Sequence, residues 1–224
     1  MNTAKKAPVG LAATPTQTSQ ATAAGSSIAY SADHLANQFL VAMPGMVDPN
    51  FAGSVIYLFE HTERGAMGLV INRPTELDMG ALFEKIEVKL EAEPVSEQPV
   101  YFGGPVQIER GFVLHEPTTE VAYNSSLAVP GGLTMTTSKD VPEAVATGSG
   151  PSKFLMTLGY AGWSAGQLEE EITLNGWINV PLSQKQMIEI IFNTPSSQRY
   201  ERTMGLLGFD PSHLSGEAGH AYGH

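Results

Sequence analysis

The sequence predicts a single α+β domain built on a mixed, largely antiparallel sheet with flanking helices. Three observations carry that prediction. Ser54–His61 and Ala66–Asn72 are apolar, β-rich runs separated by Thr62-Glu63-Arg64-Gly65, the spacing and composition of a hairpin. Helical signals are short and scattered through the later part of the chain. Strands and helices never settle into the regular alternation that a doubly wound parallel sheet requires.

Residues 1–32 are rich in Ala, Thr, Ser, Gln and Pro, with few large apolar side chains. Burial there cannot offset the entropy of ordering, so the segment reads as a disordered tail ahead of a domain at 33–224. Asp33 can cap a short turn through Ala36. Phe39–Met43 reads as a buried strand stopped by Pro44-Gly45, and the hairpin follows. Asp78 can cap a helix running to about Ile86, whereas acidic, proline-interrupted Glu87–Pro99 reads as an exposed loop. Val100–Phe102 and Gly111–His115 are expected strands flanking Gly103-Gly104-Pro105. Two more, Ser126–Val129 and Leu133–Thr136, are joined by Pro130-Gly131-Gly132. A helix at Asp140–Thr147, a buried strand at Lys153–Leu158, a helix at Leu168–Leu174 and a strand at Trp177–Val180 come next. Ser183 with Gln186 forms a capping box for a helix through Phe192. In Ser197–Leu207, Tyr200, Met204 and Leu207 share one face, with Gly208 and Pro211 as stop signals.

Composition narrows the function. The formal charge is −11, and because Lys5 and Lys6 lie in the tail while every acidic residue lies at or beyond Asp33, residues 33–224 carry −13. Such a surface repels phosphate backbones, so direct nucleic-acid binding is disfavoured. The chain has no cysteine, which removes disulfides, thiolate nucleophiles and Cys-ligated metal centres. No run approaches the roughly 20 apolar residues of a membrane span. Gly10 and Thr14-Pro15 cut the early apolar segment too short for a signal peptide. A cytoplasmic location is expected.

One motif resembles a catalytic one. Gly162-Trp163-Ser164-Ala165-Gly166 matches G-x-S-x-G, the nucleophile elbow of serine hydrolases, with Asp210 and His213, His220 and His224 downstream. Ser164 is therefore the one candidate catalytic residue. Against it, Ser164 and Gln167 also read as an S-x-x-Q capping box, with Glu169–Glu171 near the positive end of the helix dipole. No alternating strand–helix pattern precedes it. Gly103-Gly104-Pro105 can present amides to an anion, although a tight turn is the default for such a triplet. His61 and His115 each neighbour a glutamate at a strand end. Adjacent strand residues point to opposite faces, so both histidines are expected to be structural. Arg73 sits at a strand exit, where a surface ion pair is the expected role. No metal-binding or cofactor fingerprint is present, and neither is expected.

Several segments together resemble the YqgE/AlgH family of bacterial proteins. They are Asn37–Pro44, Gly68–Pro74, Phe102–Val106, Leu158–Trp163, Gly166–Glu171, Leu206–Pro211 and Leu214–Ala221. The resemblance spans about residues 35–221. It implies an α+β fold whose strongly bent sheet closes into a pseudo-barrel, and it implies no established activity, cofactor or catalytic residue. Proteins similar to this one commonly carry glycine at position 164. One branch bears a name tied to regulation of alginate production, which implies a transcriptional role, directly on DNA or through a partner. The expected function is thus a non-enzymatic regulatory or interaction protein with a protein or small-molecule partner. The expected surface comprises Arg73, Gly103, Gly104, Tyr160 and Trp163, with a structural role favoured for Trp163 because it and Tyr160 sit beside a buried strand. A serine hydrolase acting through Ser164 and a transcriptional regulator are the alternatives.

Overall fold

The computed structural model describes residues 35–91, 95–118 and 122–208. The expected tail, the Asp33 cap, Asp210, Pro211 and the C-terminal histidines lie outside the described residues. The first strand, β1 (Gln38–Ala42), pairs on one side with β2 (Val55–Thr62) and on the other with β10 (Trp177–Pro181). The hairpin is present: β2 pairs antiparallel with β3 (Gly65–Val70) around the polar spacer, with a bulge between Leu58 and Glu60. A strand not anticipated from sequence, β4 (Pro74–Asp78), pairs with β5 (Pro99–Phe102). Asp78 ends it and caps α1 (Met79–Lys85), its carboxylate accepting from the Ala81 N–H at 2.8 Å.

Strand β6 (Val106–His115) and the small hairpin β7 (Ser126–Val129) and β8 (Leu133–Thr136) form the far edge, followed by α2 (Asp140–Ala146). The strand expected at Lys153–Leu158 is longer: β9 runs Phe154–Ser164. Its second half looks unlike a strand because Gly159 and Gly162 interrupt the apolar run. It is held by pairing, Ala66 opposite Trp163 and Gly68 opposite Ala161 on β3. The sheet order is β10-β1-β2-β3-β9-β6-β8-β7, with β5 parallel to β9. Every other strand pair is antiparallel. The sheet curls strongly into a half-barrel, as the resemblance implied.

The bend is concentrated where β9 meets the Gly103-Gly104 segment. Gly159 adopts φ 73° within β9, and Gly104 adopts φ 149°. A Cβ on Gly103 would overlap the Gly159 carbonyl, and one on Gly159 would overlap the Gly104 carbonyl. Only glycine on both sides permits this backbone-to-backbone approach.

One core cluster, including Phe39, Tyr57, Leu69 and Leu114, is covered by α4 (Gln184–Ile188), a π-helical turn (Glu189–Asn193) and α5 (Ser196–Gly205). The Ser183–Gln186 capping box at the start of α4 is complete. Met204 is buried, with Tyr200 and Leu207 packed beside it. A second cluster lies under α3 (Gln167–Thr173), and a third between α1, α2 and the strands β5, β6 and β9.

Candidate functional site

The residues at the end of β9 build the site. Strand alternation buries Ala161 and Trp163 and leaves Gly162 and Ser164 exposed. The chain then turns through Ala165 into α3, and Gly166, at φ 76°, occupies the N-cap position with no side-chain cap. The Ser164 cap expected from sequence is therefore not formed. Gln167 bonds in the opposite sense, its Oε1 accepting from the Ser164 N–H at 3.0 Å and from Ser164 Oγ at 3.1 Å. The physical reason is that β3 holds Ser164 in extended pairing opposite Gly65, so the helix starts two residues later on a glycine. Ser164 is the exposed last residue of a strand, not the apex of an elbow.

Leu168 anchors α3 in the second core cluster, and one turn on from Gln167, Glu171 reaches back under the sheet. Its Oε2 accepts from Trp163 Nε1 at 2.9 Å and from Trp177 Nε1 at 2.7 Å, while Oε1 accepts from Gln167 Nε2 at 2.9 Å. One carboxylate thus clamps the indoles of β9 and β10. Their centroids lie 5.8 Å apart at 81°, an edge-to-face arrangement. Phe51 completes the cluster, stacked on Trp163 at 6.2 Å and edge-on to Trp177 at 5.5 Å.

Arg73 explains why Phe51 is there. Its guanidinium donates to the carbonyls of Pro49, Asn50 and Ala52 at 2.9, 2.7 and 2.9 Å, and lies 5.7 Å from the Phe102 ring centroid. The planar fork gathers three carbonyls of one turn, which a lysine could not do. Neither the surface ion pair nor a free ligand-binding cation describes it: Arg73 positions the 48–53 turn.

Phe51 and Trp163 floor a cleft of about 550 Å³ bounded by Met46, Val47, Asp48, Gln167 and Leu174, with Trp177 buried behind them. Val47 is 92% and Leu174 72% exposed on its rim. Trp163 itself is buried, in line with the structural role favoured for it beside a buried strand, because Glu171 and Phe51 cover it. Gly103 and Gly104 are buried against β9, and the Gly103 amide donates to the Leu158 carbonyl at 2.8 Å, so the triplet serves the bend. Tyr160 packs edge-on to Phe112 at 5.6 Å in the first core cluster. Of the expected surface residues, Trp163 lines the cleft and Arg73 braces the turn beside it, whereas Gly103, Gly104 and Tyr160 lie outside the cleft. Phe51, Glu171 and Trp177 escaped sequence reading. The signal was the i, i+4 pair Gln167 and Glu171 beside the chain's two tryptophans.

The two described histidines are committed elsewhere. His61 Nε2 donates to Glu169 Oε1 at 2.8 Å, and its buried Nδ1 has no partner among the described residues. His115 Nδ1 donates to the Glu116 carbonyl at 2.8 Å, which leaves Nε2 to accept from Thr136 Oγ1 at 2.9 Å. Burial pulls the His115 pKa below its ordinary 6.5, against the opposing effect of the Glu116 carbonyl. Among the described residues no group of three or more His, Asp or Glu side chains could hold a metal ion. No helix of the described residues is long and apolar enough to cross a membrane.

Residues 39–212 match the family described as AlgH-like. The chain is 62% identical over 188 residues to a UPF0301 protein of Burkholderia vietnamiensis, a match covering 84% of this chain and 96% of the relative. UPF0301 proteins of Burkholderia mallei are 63% identical over the same length and shares. The solution structure of the AlgH protein from Pseudomonas aeruginosa superposes with a TM-score of 0.66 at 46% identity, covering 83% of this chain and 95% of that one. A Corynebacterium diphtheriae protein shares the fold at 23% identity, with a TM-score of 0.58 and coverage of 76% and 85% of the two chains. With a family match over most of its length and relatives of such identity, this chain belongs to the AlgH-like family.

Proposed function

We propose that this protein is a non-enzymatic regulatory protein of the bacterial cytoplasm that acts by binding a partner protein in the Phe51–Trp163 cleft. The observation that carries the reading is the rim. Two large apolar side chains, Val47 and Leu174, stand in solvent above an aromatic floor that is already rigidly hydrogen-bonded. Aromatic groups held in a preformed pocket and ringed by exposed apolar residues are the usual anchor of a protein interface. Asp48 borders the cleft and Glu169 and Glu170 lie on the adjoining helix, so the fitting partner segment offers an apolar anchor beside Lys or Arg.

The hydrolase alternative draws no support from Ser164, whose hydroxyl donates to Gln167 rather than to a histidine. Formal charge counts against direct contact with DNA. The test compares in-cell crosslinking of the wild type with Leu174→Glu and Val47→Asp, exposed positions whose substitution leaves the core intact. A partner crosslinked by the wild type and lost in both variants is expected. A partner retained by both variants removes the cleft from the reading, and fluorophosphonate labelling of Ser164 replaces the reading with the hydrolase.

A further inference from the structure

Outside the aromatic cleft lies a charge with no ion-pair partner among the described residues. Arg199, in the first turn of α5, is the one buried Lys or Arg among the described residues, at 4% exposure. Its Nε donates to the Thr194 carbonyl at 2.9 Å, its Nη1 donates to the Ile71 carbonyl, and its guanidinium lies 5.1 Å from the Tyr101 ring centroid. None of the ion pairs among the described residues includes it. Burial lowers its pKa, an effect partly offset by the Tyr101 phenol, but an arginine in a protein remains charged. Buried charges are ordinarily paired, because neutral dipoles only partly replace the lost hydration.

Arg199 lines a cavity of about 340 Å³, within the range of small-molecule sites. Lys153, Ser152, Asn193, Gln98 and Tyr101 line it too, and among the described residues no Asp or Glu does. In a domain of charge −13 that composition stands out. Two acids touch this wall from behind its lining: Glu189 Oε2 accepts from Asn193 Nδ2 at 2.8 Å, and Glu116 Oε1 lies 3.5 Å from Lys153 Nζ. Ile191, Phe192 and Asn193 reach the cavity from the π-helical turn. Such turns are rare, cost regular hydrogen bonding and recur at functional sites.

We propose that this cavity binds the oxyanion group of a small metabolite, a phosphate monoester or a carboxylate, with Arg199 and Lys153 as its cationic donors. Two of the five guanidinium N–H groups are taken by carbonyls and a further one by the Tyr101 hydroxyl, which orients the fork and leaves donors for the anion. Lys153 supplies the second positive charge, and Ser152 and Gln98 supply neutral hydrogen bonds beside Asn193, whose Nδ2 is oriented by Glu189 Oε2. The site is independent of the aromatic cleft, and its failure would leave that reading untouched.

The experiment titrates the full chain with inorganic phosphate and, separately, with succinate, at constant ionic strength, following backbone amide resonances. Saturable shifts at Ser152, Lys153 and Asn193 are expected, with Lys153→Gln weakening the binding about tenfold. Arg199→Lys, which keeps the charge and loses the fork, is expected to weaken it at least as much. Saturation by phosphate alone or by succinate alone identifies the anion, and both arms support the site. Lys153 is half-exposed, so its variant stays folded and informative if Arg199→Lys does not. Absence of saturable shifts with either probe overturns the proposal, as does binding that Lys153→Gln leaves unchanged.

Discussion

Replacing Glu171 with alanine should unclamp the two tryptophans. The variant leaves the Trp163 and Trp177 N–H groups, both in buried side chains, without their acceptor. A buried donor left unsatisfied costs about 1–3 kcal/mol, and hydrogen bonds to a charged acceptor sit toward the upper end. Glu171 is itself partly exposed, so water can enter after truncation and recover some of that loss. Two donors at the lower half of the range give about 2–4 kcal/mol. In a domain of this size each kcal/mol moves Tm by roughly 2–4 °C, so a fall on the order of 5–15 °C is expected. Glu171→Gln keeps one oxygen that can face both indoles but loses the charge, and should cost about 1–2 kcal/mol. The assay is unusually direct, because the chain has two tryptophans and both belong to this cluster. Selectively excited indole emission therefore reports this cluster and nothing else. It should shift red in the folded Glu171→Ala protein as water reaches the rings. A Tm within about 1 °C of wild type, with unshifted emission, would refute the claim that one carboxylate holds both indoles.

Arg73→Met keeps an apolar stem for Phe102 but abandons three carbonyls. We expect about 2–3 kcal/mol of destabilisation by denaturant titration. Faster amide exchange across residues 48–53 should accompany it, only partly reversed in Arg73→Lys. His115 predicts a pH dependence. Its folded pKa is depressed by burial, so on acidification the unfolded chain takes up the proton first. Its contribution to stability is complete above about pH 6.5 and is lost as pH falls through the folded value. Stability measured across that interval should decline less steeply in His115→Phe, even though that variant starts lower because Thr136 and the Glu116 carbonyl lose a partner. An unchanged slope would locate the acid sensitivity elsewhere.

Features that depend on neighbours in the chain were legible in the sequence. The hairpin about Glu63-Arg64, the Asp78 cap and the Ser183–Gln186 box each close within a few residues, and each stands as read. So does the apolar face of α5, where Tyr200 and Met204 pack inward. Family membership was legible too, because short motifs spread over most of the domain carry it. What tertiary structure decided is whatever depends on partners distant in sequence. The second half of β9 is a strand because β3 lies against it. β4 is a strand because β5 returns to meet it, and Ser164 is a strand end, not a cap, for the same reason. Glu171 becomes a clamp and Arg73 a brace only once residues far apart in sequence come within hydrogen-bonding reach. Local hydrogen bonds and side-chain period are written residue by residue, whereas strand pairing and buried charge are properties of the closed fold. The Gly103-Gly104 and Gly159 contact joins the two accounts. The sequence marks glycines at both places, and only the curled sheet shows that each is there to make room for the other.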